Sequence, residues 1–200
     1  MPEVSVLIGF VAAVLVVLLT PGPAVLYVIA RSLGQGQRAG LISVLGLSSG
    51  ALVHVAAATL GLSAILLASA AAFTIVKLLG AGYLIYLGIR AVLAPGALTS
   101  ADPTPPRSLN RLFVDGFVVS VLNPKIAVFF LAFLPQFVQP DAGPLARQVM
   151  LLGLIYVGLA LVTDGTYALV AGRARHWMRG RIVQGRAPQY APARFISVSV

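Results

Sequence analysis

The stretch LLTPGPAVLYV, residues 18–28, decides how the chain is read. It sits inside a run of apolar residues that starts at Val4 and shows no polar face. Near the middle of that run stand Thr20, Pro21, Gly22 and Pro23, four poor helix formers. Proline has no N–H to give, and its ring clashes with the carbonyl one turn earlier, so a helix does not pass through this point intact. The sequence therefore predicts a helix that breaks within an apolar segment.

The rest of the chain fits a membrane solvent better than water. Of 200 residues, 59% are hydrophobic and 10% are charged, against roughly 25% charged in an ordinary soluble domain. There is no cysteine, which excludes disulfides, thiolate metal sites and cysteine nucleophiles. The opening Met1-Pro2-Glu3 lacks the basic start of a signal peptide, so the first apolar run is expected to be retained as a helix. The net charge of +9 comes from arginines that flank the apolar segments and do not alternate with stacking aromatics. That pattern sets topology and gives no reason to expect nucleic acid as a partner.

Crossing a hydrocarbon core of about 30 Å takes about 20 apolar residues. Five segments qualify: Val4–Ala30, Ala39–Gly61, Ala72–Leu93, Leu112–Val138 and Arg147–Ala171. An N-terminus outside puts the arginine-rich connections 31–38, 90–111 and 172–190 in the cytoplasm, as the positive-inside rule requires. The polar, proline-rich stretch 94–111 is a linker. Residues 1–93 form a first unit of three spans, 112–171 hold two spans of a second, and 172–200 form a basic tail whose sixth span is incomplete. Arg173, Arg175, Arg179 and Arg181 stand in that tail.

The fourth span repeats the opening pattern. In VLNPKIAVFFLAF, residues 121–133, Asn123-Pro124 falls where Thr20-Pro21 falls in the first unit, and Ala127-Val128 matches Ala24-Val25. Each unit has three spans, an odd number, so the second enters the membrane inverted relative to the first. Interrupted helices in matching positions of two inverted units mark the substrate site of many secondary transporters. The fold expected is an all-α polytopic membrane protein of two inverted three-helix repeats with broken first helices and an incomplete sixth span. Thr20, Pro21, Gly22, Pro23, Asn123, Pro124 and Lys125 are expected to surround the substrate. Freed carbonyls suit an ammonium, and a resumed helix N-terminus suits a carboxylate.

Several of these segments resemble a known family. TPGPAVLYVIARSLGQGQRAGLISVLGLSSGALVHVAAATLGLSAIL, KLLGAGYLIYLGIRA and GFVVSVLNPKIAVFFLAFLPQFV are similar to the LysE/RhtB family of bacterial amino-acid exporters, in register from about residue 5 to 175. The resemblance implies a six-helix protein of the bacterial inner membrane that exports amino acids such as lysine, arginine, homoserine, threonine or leucine. It also implies coupling to the proton gradient and a complete sixth helix, which this tail does not supply.

Ionisable side chains inside spans are costly and point to function. Asp164 in the fifth span is a candidate for proton coupling or for binding a substrate ammonium. Lys125, just after the second break, would bind a substrate carboxylate or serve as counter-ion to Asp164. His54, in the middle of the second span, suits a proton relay, and equally a hydrogen bond to a neighbouring helix. Lys77 reaches the membrane surface, and Asp115 pairs with linker arginines. Tyr83 and Tyr86 read as packing residues; Gly46, Ser49, Gly50, Gly80 and Gly88 read as close helix contacts.

Other readings carry less of the sequence. Export of a cation or another small solute keeps the transport plan, but no cluster of metal-ligating residues supports a metal site. A protease built on Ser63 needs a base within reach; His54, nine residues earlier, lies on the opposite helix face. A membrane protein that transports nothing would use its basic tail to hold anionic lipid. No catalytic residue, metal or cofactor is expected. The partners expected are a small amino acid, protons and the lipid bilayer, and a homo-oligomer is compatible with the sequence.

Overall fold

The computed structural model describes residues 3–69, 71, 74, 75, 78 and 107–185. Almost all of the expected third span, with Lys77, Gly80, Tyr83, Tyr86 and Gly88, lies outside the described residues. So do most of the linker and residues 186–200.

Every element among the described residues is helical. α1 spans Val4–Leu19, α2 Pro23–Gln35, α3 Gln37–Ala68 and α4 Leu109–Val121. α5, Pro124–Val128, runs on as a π turn over Phe129–Phe133 and a 3-10 turn over Leu134–Phe137. α6 is Leu145–Gly185. α3 and α6 each hold a stretch long and apolar enough to cross a membrane, Gln37–Leu62 and Leu145–Arg175. The other two candidate spans are bent pairs. α1 meets α2 at 55°, and α4 meets α5 with its continuation at 47°. The chain is an all-α polytopic membrane protein, and both breaks fall where the prolines predict them.

Local chemistry explains each end. The Thr20 N–H and hydroxyl both donate to Val16 O, at 3.2 and 2.7 Å, and close α1. Pro23 and Pro124 then occupy the first turn of the resumed helices, where a missing N–H costs nothing. Pro135 cannot donate to Leu131, and the chain accommodates it by widening the turn before it, with Leu134 N–H reaching back five residues to Phe129 O. The break over Asn123-Pro124 was expected; this second irregularity, inside the expected span Leu112–Val138, was not.

α6 departs from expectation at its far end. It does not stop at Ala171 but continues to Gly185. Its 41 residues extend about 60 Å at 1.5 Å per residue, twice the hydrocarbon thickness. No proline interrupts 172–185, and arginine, alanine and methionine favour helix. The basic segment therefore extends the helix instead of starting a separate tail.

Packing follows residue size. Phe10, Val14 and Leu18 of α1 meet Phe129, Phe130 and Leu134, the aliphatic face of α3 and Leu152, Tyr156 and Ala160 of α6. A smaller cluster joins Val28, Val44, Leu47 and Ala168. Small residues let α3 and α4 touch backbone to backbone. A Cβ on Gly50 would lie 2.6 Å from both Phe117 O and Ser120 Cβ, and one on Gly46 would strike Phe113 O.

The two ends of the bundle differ in charge. At one, Gln35 exchanges hydrogen bonds with the Arg107 backbone at 2.8 and 3.0 Å. There Asp115 pairs with Arg107 and with Arg111, the latter at 3.1 Å, as its place in the sequence predicted. The Gln37 amide also donates to Leu169 O. At the other end, Glu3 N–H donates to Gln139 Oε1, and Gln148 binds both backbone groups of Gln139.

Candidate functional site

Each proline at the breaks deprives a carbonyl of its helical partner, and a distant side chain supplies a donor. Pro21 cannot donate to Val17 O, Pro23 cannot donate to Leu19 O, and Pro124 cannot donate to Ser120 O. The Lys125 ammonium donates to Val17 O at 2.5 Å and to Thr20 O at 2.6 Å. The Tyr167 hydroxyl of α6 donates to Leu19 O at 3.4 Å. Ser120 O accepts from Asn123 N–H in a tighter turn and from His54 Nε2, each at 3.1 Å. A carbonyl only accepts, so this His54 nitrogen carries the proton. The cross-bracing has a strong driving force, because an unsatisfied backbone group in hydrocarbon costs several kcal/mol.

The two resumed helices start differently. Asn123 Oδ1 accepts from Lys125 N–H at 3.0 Å and caps α5. The residue before α2 is Gly22, which has no side chain to do the same. The first-turn residues Ala24 and Val25 line a cavity of about 30 Å³. Residues of all six described helices line it, from Leu18 of α1 to Asp164 of α6.

Gly22, Asn123, Lys125 and Asp164 share this cavity. Asp164 is 6% exposed. It makes no hydrogen bond to the described residues and no salt bridge to Lys125, although the two charges are close enough to interact. An acid and a base thus face one small volume, each with capacity left for a ligand. The wall between them is mostly aliphatic, with Leu18, Leu47 and Ile126 among its members.

The remaining sequence candidates fall around this centre. Thr20 contributes its carbonyl to Lys125. Pro21, Pro23 and Pro124 are exposed on the outer side and shape the site only through the backbone. His54 stands behind Ser120, with its ring stacked on Phe130 at 6.2 Å between centroids. The Ser63 side chain lies outside the described residues.

Sequence reasoning missed four contributors. Ser48, Ser120 and Tyr156 line the cavity, and Tyr167 satisfies Leu19. A signal existed for Ser120, which is four residues before Pro124 and so had to lie at the break. None marked Ser48 or the tyrosines.

The LysE type translocator family model matches residues 15–198, a range that includes both breaks, Lys125 and Asp164. The chain belongs to the LysE type translocator family. Among relatives of this translocator, the homoserine/homoserine lactone efflux protein of Salmonella typhimurium is 35% identical over 81% of this chain and 78% of its own. The Bacillus subtilis membrane protein YrhP is 29% identical over 86% of each. A leucine efflux protein of Salmonella typhimurium is 29% identical over 66% of this chain and 63% of its own. No solved structure matches. Membership places the chain among translocators and not among enzymes.

Proposed function

We propose that this translocator exports small neutral amino acids across the bacterial inner membrane, driven by the proton gradient. The observation that carries the reading is the shared cavity between the two breaks. On one side the uncapped start of α2 adjoins the Lys125 ammonium; on the other stands the buried Asp164 carboxylate. A zwitterion fits this pair of charges. Its carboxylate meets the N–H groups of α2 and the Lys125 ammonium, and its ammonium meets Asp164. Among the described residues the cavity has one carboxylate, which leaves no second partner for a dibasic side chain. The relatives named for homoserine and leucine efflux support the same class.

Alternating access follows from the two bent pairs acting as matching elements of inverted repeats. Opening the cavity exchanges the Lys125 contacts to Val17 and Thr20 for contacts to substrate. Asp164 takes up a proton when the ammonium leaves, which links the cycle to the gradient, and His54 relays it. Orientation is N-out. The end that gathers Arg107, Arg111 and the arginines beyond Ala171 faces the cytoplasm, while Glu3, Gln139 and Gln148 face outward. The test is efflux from bacteria stripped of their own exporters, preloaded with homoserine, threonine, leucine, lysine and arginine. The expected result is faster loss of a neutral amino acid. Faster loss of lysine or arginine alone would overturn the neutral assignment.

A further inference from the structure

Two hydroxyls in the cavity wall have no task in the scheme above. Ser48 on α3 is 7% exposed and Ser120 on α4 is fully buried. Both line the cavity, and neither hydroxyl has a hydrogen-bond partner among the described residues. Helical serines and threonines have an easy remedy, the carbonyl four residues earlier. Ser43 takes it at 3.0 Å, Ser49 at 2.8 Å and Thr59 at 2.7 Å, all on α3 with Ser48. Thr163 and Thr166 do the same on α6, beside Asp164. Ser48 and Ser120 do not use it. Ser32 is, among the described residues, a third buried hydroxyl without a partner; like Ser120 it stands against a glycine, but it does not line the cavity.

Leaving a buried donor unmet is costly, and such groups call for an explanation. We infer that Ser48 and Ser120 are specificity-determining residues, binding a hydroxyl or similar polar group on the substrate side chain. The inference rests on the zwitterion site proposed above, and it narrows the class to short neutral amino acids with a hydrogen-bonding side chain. The chemistry favours discrimination. An apolar analogue would take the same space and leave both serines unpaired, and polar pockets reject such analogues far better than apolar pockets reject extra hydroxyls.

The test is counterflow into proteoliposomes carrying the full chain, with homoserine and norvaline as a matched pair. They differ in a terminal hydroxyl against a methyl. Wild type is expected to favour homoserine by roughly tenfold or more. In Ser48→Ala/Ser120→Ala the preference falls to near unity, with norvaline exchange retained or raised as the sign of an intact fold. Each single variant lowers the ratio part of the way and stands in if the double variant does not insert. An unchanged ratio in the variants would overturn the inference and leave two serines served by water alone, with the export reading intact. So would a wild type that prefers norvaline. A wild type that moves no amino acid would overturn the export reading and this inference together.

Discussion

The Lys125 ammonium donates to the carbonyl of Val17 at 2.5 Å, and Val17 is the residue whose helical partner Pro21 removes. A side chain at the second break thereby repairs the first. The two residues are 108 positions apart, so this contact ties the halves of the chain together at the depth where both helices are interrupted. It also holds the Lys125 ammonium, part of the cavity lining, against the backbone of the first break.

Replacing Lys125 with methionine keeps the apolar stem and removes both donors. Val17 O and Thr20 O then lie unpaired. A hydrogen bond to a charged group contributes about 1.5–3 kcal/mol, so a clear drop in thermal unfolding temperature in detergent is expected, together with loss of homoserine efflux. Lys125→Met with normal stability would show that the two carbonyls find other donors.

Pro124→Ala restores an N–H for Ser120 O and removes the ring clash, so the bend between α4 and α5 relaxes. In the first turn of α5 the ring costs little while the bend stands, and its penalty of about 3 kcal/mol applies only to a helix running straight through. The variant is expected to be at least as stable as wild type and much slower in transport. Thermal unfolding and efflux measured on one preparation separate the two effects, and normal efflux would mean that the bend is not needed.

His54→Ala removes the donor to Ser120 O and the ring stacked on Phe130. About 1 kcal/mol of stability is expected to go with the hydrogen bond, and more with the lost packing. The pH profile of efflux distinguishes its two roles. A relay flattens the profile when removed, whereas a purely positioning histidine lowers efflux equally at every pH.

Gly50→Ala puts a methyl group 2.6 Å from Phe117 O and Ser120 Cβ, and neither backbone can yield without parting α3 from α4. Overpacking of this kind costs about 1–3 kcal/mol. Gly158→Ala on the exposed face of α6 meets nothing within 4 Å among the described residues and is expected to be neutral or slightly stabilising. Equal melting temperatures for the two variants would contradict the packing described here.

The breaks were legible because proline acts locally. Pro21, Pro23 and Pro124 remove hydrogen bonds whatever surrounds them, and both bends appear where they stand. Asp164, Lys125, Gly22 and Asn123 were legible as polar or flexible residues in apolar surroundings, and they share one cavity. Which side chain would serve which freed carbonyl was not legible, because Tyr167 and Lys125 reach across more than 100 residues and no local pattern encodes that distance. Ser48 was hidden for a related reason. Its sequence neighbourhood is the same as that of Ser49, and only the direction each hydroxyl takes in the packed helix separates them. The end of α6 was not legible because hydropathy marks only the apolar span, and a helix rich in arginine and alanine continues past it to Gly185.

In the proposed site Lys125 and Asp164 hold the two ends of one zwitterion between the breaks. Counterflow of labelled homoserine in proteoliposomes, for wild type, Lys125→Gln and Asp164→Asn at matched protein content, tests it most directly. Exchange is expected in wild type and is lost in both variants, with each protein still folded and inserted. Undiminished exchange in either variant would contradict it.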